Sequence, residues 1–468
     1  MSGKTLIIKF GGTSVGSAAA IAQAAEIVRD ARKTWPQVVV VVSAMSGVTN
    51  ALLEGAQAAA RGEREQAGRI ANQLKLQHLE AVNGLIESEI ERIAILDRVG
   101  QRLQEFDSLC DALAVLGEAT PRALDAVASL GERMSNHLVA GRLRQIGVSA
   151  EAVNAADVIR TDSVFQSAAP LMEITRQQAQ GRLGGLLAEG AVPVVTGFIG
   201  ATESGVITTL GRGASDYTAA ILGDVLDGGE VWIYTDVDGV MTADPRVVPE
   251  ARSLATLSYR EMSELAYFGA KVLHPKSVTP IVERGIPLRI KNTFNPAHPG
   301  TLVLIESNGA HGALKGVTAI KQQSLITIEG RGMLGVPGIA ARAFGAVART
   351  RTSVPMISQA SSEQSICFLV PDSSSEQALA QLRSEFEREL ARRDIEAIWA
   401  MSPVVIVTVV GAAMRSTPGV AGRVFSALGT AGINIIAIAQ GSSECSISLV
   451  VDAKDADDAV RNIHALIE

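Results

Sequence analysis

The sequence lacks several features that mark large classes of protein. It has no excess of basic residues, because 42 lysines and arginines face 49 aspartates and glutamates, giving a net charge of −7. That balance argues against a nucleic-acid-binding surface. No basic and apolar leader stands at the N-terminus, and no apolar run reaches membrane-spanning length. We therefore expect a cytoplasmic protein with neither a nucleic-acid nor a membrane partner.

Cysteine is scarce as well. Cys110, Cys367 and Cys445 are far apart and form neither a metal-binding spacing nor a disulfide framework. We interpret them as small buried hydrophobic residues and predict no metal site built from protein side chains. What the chain does have is length and apolar content: 468 residues, 47% of them hydrophobic, predict two to four domains with full cores.

A glycine turn near the N-terminus, Lys9-Phe-Gly-Gly-Thr-Ser-Val15, follows a short apolar run at 5–8 that predicts a strand, and precedes a predicted helix. Gly11 and Gly12 let the backbone approach a ligand closely, and the helix N-terminus behind them favours an anion. Lys9 adds a point charge suited to a phosphate. The alternative is a purely structural turn, since the stretch matches neither common glycine-rich phosphate-binding pattern.

Two further stretches contain residues that could bind a ligand. A second predicted strand, 38–42, leads into the small and hydroxyl residues of 43–50, and Thr49 is a candidate there because α/β sheets bind ligands at the carboxyl ends of strands. An ordinary helix cap is the alternative. The stretch 51–147 predicts amphipathic helices. Within it, Glu132 is either the partner of a ligand's ammonium group or an exposed helical glutamate.

A second glycine motif, Thr208-Thr-Leu-Gly-Arg-Gly-Ala-Ser-Asp-Tyr217, predicts another turn at the start of an alanine-rich helix. Arg212 stands between two glycines and can bind a carboxylate with two parallel hydrogen bonds. Asp216 is interpreted as a site residue, with a helix cap as the alternative.

Later predicted strands lie at 153–159, 192–198, 230–234 and 287–295. Asp236 and Asp238 follow the third of these and would position a nucleotide or its metal ion, or serve only as loop residues. Lys271 lies in another glycine-bearing segment, and His274, which precedes a proline, is interpreted as a packed structural residue.

The C-terminal third contains an internal repeat. Met333–Val370 aligns without gaps on Met414–Val451, an offset of 414 − 333 = 81 residues. Each copy predicts a strand, a Pro-Gly helix start, an amphipathic helix, a strand, a turn and a strand. The simplest interpretation is structural pairing of the two copies, and the matched glutamines Gln359 and Gln440 suggest ligand sites beyond it.

Taken together, these motifs resemble aspartate kinase, also called aspartokinase, along essentially the whole chain. The matching stretches are 9–14, 43–50, 131–135, 211–217, 235–239, 268–275 and the two Gln-x-Ser-Ser-Glu turns. The resemblance implies an α/β amino-acid-kinase fold, a mainly parallel sheet between helical layers, over residues 1–304. It implies two ACT regulatory domains of βαββαβ order at 305–390 and 391–468. ACT domains in such enzymes are interlaced, so a strand near Leu302–Glu306 is expected to join the second copy.

The reaction that the resemblance implies is phosphoryl transfer from ATP to the β-carboxylate of L-aspartate, giving 4-phospho-L-aspartate. This is the first step of lysine, threonine and methionine biosynthesis. The acceptor is already ionised at pH 7, so catalysis needs positioning and charge neutralisation rather than a general base. Mg²⁺ is expected to be held largely through phosphate oxygens and water.

The resemblance also implies roles for single residues. Lys9 would stabilise the γ-phosphoryl with the N–H groups of Gly11 and Gly12, and Asp216 would orient Lys9. Arg212 would bind the substrate α-carboxylate and Glu132 its ammonium. Further substrate contacts would come from Thr49, Phe198 and Ser215, and nucleotide contacts from Thr235, Asp236, Met241, Arg246, Lys271 and Val272. Met241 departs from the family, which often has a tyrosine near the adenine.

The paired glutamine turns resemble the threonine-responsive aspartate kinases more than the lysine-responsive ones, so we expect feedback by threonine, and a homodimer or larger assembly formed through the ACT domains. One alternative is another kinase of this fold acting on glutamate, N-acetylglutamate or UMP, which would not predict Glu132 and Arg212 together with the repeat. Another is a non-catalytic amino-acid sensor, which the intact Lys9, Arg212 and Asp216 disfavour. No dinucleotide-binding stretch follows the second repeat, so we expect a monofunctional kinase.

Overall fold

The computed structural model describes residues 4–211, 213–270, 273–306, 314–360, 363–414, 417–440 and 445–467. The chain divides into two compact units. The first comprises Met1–Val240, Ser253–Tyr259 and Leu273–Ser307, and the second comprises Met241–Arg252, Arg260–Val272 and Asn308–Glu468. Within the described ranges, no helix is both long and apolar enough to cross a bilayer.

The secondary structure is mixed throughout. The strands are β1 (Thr5–Phe10), β2 (Gln37–Val42), β3 (Ala150–Val153), β4 (Arg160–Thr161), β5 (Val192–Thr196), β6 (Ile199–Thr202), β7 (Ile207–Thr209), β8 (Glu230–Thr235), β9 (Thr256–Ser258), β10 (Leu288–Asn292), β11 (Thr301–Leu304), β12 (Leu314–Glu329), β13 (Ile357–Gln359), β14 (Ser365–Pro371), β15 (Ala397–Gly411), β16 (Ala437–Ala439) and β17 (Ser446–Asp452). The α-helices are α1 (Ala18–Ala31), α2 (Val48–Ala60), α3 (Arg64–Leu85), α4 (Glu89–Leu116), α5 (Pro121–Ala128), α6 (Leu130–Gln145), α7 (Met172–Ala188), α8 (Ala214–Val225), α9 (Tyr259–Tyr267), α10 (Thr279–Arg284), α11 (Ile339–Arg349), α12 (Asp372–Glu385), α13 (Glu387–Arg392), α14 (Val420–Thr430) and α15 (Ala456–His464).

The first unit is built on an eight-stranded sheet of order β3-β5-β2-β1-β8-β10-β11-β9. The six strands from β3 to β10 in this order are mutually parallel, and β11 runs antiparallel to β10. All residues of β1 are buried, as expected of a central parallel strand covered on both faces. The predicted mainly parallel α/β fold is confirmed. Because the six strands share a direction, their carboxyl ends lie at one edge of the sheet.

Two predicted strands were placed wrongly in this unit. The predicted strand 153–159 ends at Val153, because Asn154 Oδ1 accepts a hydrogen bond from Ala156 N and starts a 3₁₀ turn over Ala155–Asp157. The strand expected near Leu302–Glu306 in the second ACT copy is β11. It pairs with β10 and β9 in the eight-stranded sheet instead.

The second unit holds a six-stranded sheet of order β13-β14-β12-β15-β17-β16. Its two central strands, β12 and β15, are long and antiparallel, and their register runs from Leu314 opposite Gly411 to Glu329 opposite Ala397. The first half of β12 pairs with the second half of β15, which belongs to the second repeat. The second half of β12 pairs with the first half of β15, within the first repeat. The two copies are therefore interlaced, with β12 rather than β11 as the shared strand.

The repeat predicted from the sequence is confirmed element by element. Helix α11 starts at residue 339 and α14 at residue 420, an offset of 420 − 339 = 81, and each follows a glycine of positive φ, Gly338 at 92° and Gly419 at 86°. A left-handed residue at this turn favours glycine. The short strands β13 and β16 also meet, because Ser358 Oγ donates to Ile438 O.

The candidate effector residues lie at the ends of these short strands. Gln359 ends β13 and Gln440 directly follows β16, and both side chains are exposed. Residues 361–362 and 441–444, which complete the two predicted turns, lie outside the described residues. Of the cysteines, Cys110 and Cys445 are buried as predicted, whereas Cys367 is half-buried.

Candidate active site

A cavity of about 490 Å³ opens at the carboxyl edge of the parallel sheet in the first unit. Such an edge is where open α/β sheets place their ligands. Its walls come from strand ends, from the starts of helices and from the loops between them. The lining residues are Lys9, Ser43, Thr49, Leu53, Leu124, Asp125, Ala128, Glu132, Gln166, Phe198, Thr209, Gly211, Gly213, Ala214, Ser215 and Asp216. Six residues singled out from the sequence for catalysis or substrate binding, at positions 9, 49, 132, 198, 215 and 216, are thus brought together.

An ion pair dominates the charge of the cavity. Lys9, near the end of β1, places its Nζ 2.5 Å from Asp216 Oδ1, and the two side chains are only 10% and 13% exposed. Asp216 lies in the first turn of α8, which follows the left-handed Gly213 with φ 68°. The carboxylate holds the lysine ammonium at the cavity wall, where it would face an anionic group of a ligand.

The two glycines after Lys9 have different surroundings. The Gly11 N–H donates to Tyr234 O at 3.3 Å, so it is occupied within the sheet edge. The Gly12 N–H makes no hydrogen bond to any backbone group of the described residues. A Cβ at Gly12 would stand 3.3 Å from Ala44 O, so glycine also allows this turn to lie close to the end of β2. The phosphate contact of the two N–H groups stays a prediction, with the Gly11 N–H bonded to Tyr234 O in this structure.

Glu132 is a deeply buried charged side chain of the cavity. It is 3% exposed, at the start of α6, and its Oε1 accepts a hydrogen bond from Ala44 N at 3.2 Å. Its buried Oε2 has no hydrogen-bond partner among the described residues. Burial raises the pKa of the Glu132 carboxyl to about 8. A buried carboxylate oxygen without a partner is suited to receive a cationic group of a ligand.

Another part of the cavity wall depends on strained and close-packed backbone. Phe198 has φ 69°, a conformation that non-glycine residues rarely adopt, and it is held there because its N–H donates to Thr218 Oγ1 and its carbonyl accepts from Leu210 N. A Cβ at Gly197 would stand 2.6 Å from Ser215 Oγ. Only glycine therefore lets Ser215 reach the cavity at this point.

The residues assigned to the nucleotide are dispersed. Thr235 ends β8, directly beside β1, and its hydroxyl accepts from Val237 N, while Asp236 is exposed just beyond it. Met241 and Arg246 belong to the second unit, where Arg246 forms an ion pair with Asp244. Three assigned residues, Arg212, Lys271 and Val272, lie outside the described residues. In the described part of the chain, no group of three or more His, Cys, Asp or Glu side chains could hold a metal ion.

Sequence reasoning missed the part of the wall formed by α5, the loop at 162–168 and β7. Asp125 and Thr209 line the cavity there, together with Gln166. Thr209 belongs to the second glycine motif but was not singled out within it, and the three residues come from three separate segments. No local signal in the sequence brings these segments together.

The junction of α6 with the end of β2 gives a stability prediction. A Cβ at Gly131 would stand 2.7 Å from Ala44 Cβ and 3.3 Å from Val48 Cγ1. We expect Gly131→Ala to lower the free energy of unfolding by about 1–3 kcal/mol through overpacking, as measured by urea denaturation. Gly68→Ala in α3 is the matched control, because its Cβ would meet nothing within 4 Å. It should be neutral or stabilise by roughly 0.5–1 kcal/mol; equal losses in both variants would contradict this account.

Comparison with known proteins agrees with this architecture. Residues 4–292 match the amino acid kinase family, and residues 326–386 and 407–466 each match an ACT domain. The chain therefore belongs to the amino acid kinase family, and it carries a pair of ACT domains. Within that family its similarity is to aspartokinases. It is 32% identical to Aspartokinase 1, chloroplastic, of Arabidopsis thaliana, an alignment that covers 99% of this chain and 80% of that protein.

Longer relatives and solved structures point the same way. The chain is 36% identical to bifunctional aspartokinase/homoserine dehydrogenase 1, chloroplastic, of Arabidopsis thaliana over 98% of its own length, but it spans about half (50%) of that relative. E. coli aspartokinase III has been solved with aspartate and ADP and matches at a TM-score of 0.80 with 30% identity, covering 99% of both chains. The same enzyme solved with lysine and aspartate matches at 0.80 with 31% identity, again over 99% of both chains.

Proposed function

We propose that the protein is an ATP-dependent aspartate kinase, which transfers the γ-phosphoryl group of ATP to the β-carboxylate of L-aspartate. The observation that carries the proposal is the pairing, in one cavity, of the Lys9–Asp216 ion pair with the buried, unpartnered Oε2 of Glu132. One group suits an anionic phosphoryl and the other an ammonium. E. coli aspartokinase III, the similar solved protein, was crystallised with aspartate and ADP.

Several residues of the cavity would bind the substrate aspartate. Glu132 receives the substrate ammonium, Thr49 and Ser215 add polar contacts, and Phe198 borders the pocket. Arg212, outside the described residues, is assigned to the α-carboxylate from its place in the sequence. With the substrate so fixed, its β-carboxylate faces the transferring phosphoryl, and orientation rather than proton transfer accounts for the rate.

Charge neutralisation would come from the other side of the cavity. Asp216 orients Lys9, whose ammonium would stabilise the negative charge of the phosphoryl group. Gly11 and Gly12 stay assigned to the same group from the sequence. Thr235, Asp236, Met241, Arg246, Lys271 and Val272 stay assigned to the nucleotide in the same way. Mg²⁺, bound mainly through phosphate oxygens and water, would neutralise further phosphate charge.

A single assay tests the proposed reaction. The purified chain is incubated with ATP, Mg²⁺ and L-aspartate, ADP formation is coupled to a spectrophotometric reaction, and the acyl phosphate is trapped with hydroxylamine. We expect hydroxamate only when aspartate is the acceptor. Turnover with glutamate, N-acetylglutamate or UMP in place of aspartate would assign the chain to another branch of the family.

The ACT pair would serve regulation and assembly. We place the kinase domain at 1–304 and the ACT domains at 305–390 and 391–468, in line with the family matches at 4–292, 326–386 and 407–466. The edge strands β13 and β16 carry exposed apolar side chains, Ile357 at 48% and Ile438 at 42%. Exposed apolar side chains on two strands that meet favour association with a second chain, which supports a homodimer or larger assembly formed through this unit.

Threonine is the proposed effector. E. coli aspartokinase III has been solved with lysine, but here Gln359 and Gln440 stand exposed at equivalent strand ends. A glutamine amide offers both a donor and an acceptor, as a small hydroxylated amino acid requires. Threonine binding would favour a less active state of the kinase, typically with a coupling free energy of about 1–3 kcal/mol between the effector site and the active site.

The effector prediction is tested by kinase activity against added threonine, lysine and methionine. We expect threonine to inhibit the wild type. Gln440→Ala should raise the threonine concentration needed for half-maximal inhibition roughly 10-fold or more, a loss within the coupling range of such systems. Gln359→Ala should raise that concentration less. Gln377→Ala, an exposed glutamine on α12, is the matched control and should leave inhibition unchanged. Inhibition by lysine alone, or threonine inhibition insensitive to Gln440→Ala, would refute the assignment.

A further inference from the structure

Asp125 is a buried carboxylate in the cavity wall that none of the proposed roles uses. It lies in α5 and is 1% exposed. Its Oδ2 accepts two backbone hydrogen bonds, from Gln166 N and Thr209 N, each at 2.9 Å, and its Oδ1 accepts from Thr209 Oγ1 at 2.7 Å. All three donors are neutral. Because a buried charge is costly unless it is well hydrogen-bonded, this arrangement has to be geometrically tight.

The three hydrogen bonds join segments that are far apart in sequence. Gln166 has φ 70° in the loop before α7, and Thr209 is the last residue of β7. The segments also meet through Ala168 N, which donates to Thr209 O at 2.9 Å. Gln166 and Thr209 both line the cavity, so any drift of these segments changes its shape.

The position of Thr209 connects the Asp125 hydrogen bonds to the second glycine motif. Two residues later the chain enters the glycine turn, where Gly211 and Gly213 both have positive φ and both line the cavity. A Cβ at Gly211 would stand 3.3 Å from Gln166 O, so the turn lies against the same loop that Asp125 holds. Asp125 thus fixes both the entry to the turn and the surface on which the turn rests.

We propose that Asp125 is a positioning residue for the substrate side of the cavity, holding the Gln166 loop and the end of β7 so that Gly211 keeps its place in the cavity wall. The proposal rests on the proposed function, since aspartate is the substrate whose binding it supports. It assigns the role to hydrogen-bond geometry and not to the negative charge of the side chain. Lys9 and the nucleotide-side residues are not among its partners.

The chemistry of the contact provides a conservative variant. In Asp125→Asn, the amide oxygen can accept both backbone N–H groups while the amide nitrogen donates to Thr209 Oγ1, because a hydroxyl both donates and accepts. All three hydrogen bonds can therefore persist without the charge. In Asp125→Ala, the backbone N–H groups of Gln166 and Thr209 lose their acceptor. Thr209→Val removes only the side-chain bond and keeps both backbone bonds.

The kinetic test compares these three variants with the wild type for the KM of aspartate, the KM of ATP and kcat. We expect Asp125→Ala to raise the KM of aspartate by ~10-fold or more, as for a misplaced binding group, with the KM of ATP within about 2-fold. Thr209→Val should raise the KM of aspartate by a few-fold only, and Asp125→Asn should stay within about 3-fold of the wild type. An equal rise in both KM values, or an Asn variant as impaired as the Ala variant, would overturn the proposal.

A second readout does not depend on activity. Amide hydrogen exchange followed by mass spectrometry should be faster in the segments 163–168 and 207–213 of Asp125→Ala than in the wild type, and unchanged in Asp125→Asn and in α1. Unchanged exchange in Asp125→Ala would refute the positioning role even if kinetics were altered. If the wild type phosphorylates no aspartate but exchange responds as expected, the proposed function fails while the structural role of Asp125 stands.

Discussion

Replacing Lys9 with alanine should lower kcat by roughly 100-fold or more, the scale observed when one preorganised electrostatic contact is lost. Lys9 is 8% exposed and its ammonium is held 2.5 Å from Asp216 Oδ1, so its charge is fixed at the cavity wall before a ligand binds. A charge that is fixed before the reaction needs no reorganisation as negative charge develops on the transferring phosphoryl. The KM of aspartate should change far less than kcat, because Lys9 is assigned to the phosphoryl and not to the amino acid.

The measurement needs a control for charge and one for folding. Lys33→Ala removes a lysine that is also paired with an aspartate, Asp30, but is 71% exposed on the surface, and it should leave kcat unchanged. Thermal unfolding of Lys9→Ala should show a folded protein. Lys9→Ala leaves the Asp216 carboxylate without its ion-pair partner, and the double variant Lys9→Ala/Asp216→Asn removes that charge. Turnover within about 5-fold of the wild type in a folded Lys9→Ala protein would exclude Lys9 from the mechanism proposed here.

Replacing Glu132 with glutamine should raise the KM of aspartate by about 10- to 100-fold, since a charge-assisted hydrogen bond contributes roughly 1.5–3 kcal/mol. Glutamine keeps the size of the side chain and can still accept from Ala44 N, so the fold should be retained. The KM of ATP should stay within about 3-fold. Glu151→Gln, at a surface glutamate paired with Arg182, is the matched control and should change neither KM.

The same carboxylate predicts how aspartate binding depends on pH. Burial raises the pKa of Glu132 to about 8, so at pH 7 the free protein mostly carries the protonated form. The ammonium of aspartate pairs with the ionised form, and binding below pH 8 must therefore release a proton. We expect the KM of aspartate to fall as pH rises from 6.5 to 8, and this slope to vanish in Glu132→Gln. A pH-independent KM in the wild type would contradict the ammonium assignment.

Much of the fold could be predicted because buried parallel strands are continuous apolar runs. The predicted strand 38–42 is observed as Gln37–Val42. The helix predicted after the first glycine turn begins at Ala18, where Ser17 Oγ accepts from Ala20 N. The prediction of strand at 153–159 failed because a single side chain, Asn154, ends the strand by capping a turn. The pairing of the first half of β12 with the second half of β15 was also missed. Nothing in the local sequence of Leu314–Ile320 shows that it pairs with a strand of the second repeat some 90 residues away.

The cavity lining was predictable where charged residues stand beside glycine turns, as at Lys9 and Asp216. It was not predictable where the wall is built by tertiary contact. Asp125 stands in an ordinary helical sequence, and its three donors come from Gln166 and Thr209, 41 and 84 residues further along the chain. The raised pKa of Glu132 likewise depends on its burial, which the sequence around it does not show.

The exchange of strand halves between the repeats has a consequence for the history of the chain. Each copy borrows half of β12 or β15 to complete its sheet, so neither repeat possesses a closed set of its own strands. A chain cut or recombined between them, near residue 390, would leave each remnant with an open backbone edge, which is prone to aggregate. The duplication that produced two copies is therefore difficult to reverse one copy at a time. An ACT pair of this kind should be gained, lost or traded between proteins as a single indivisible module.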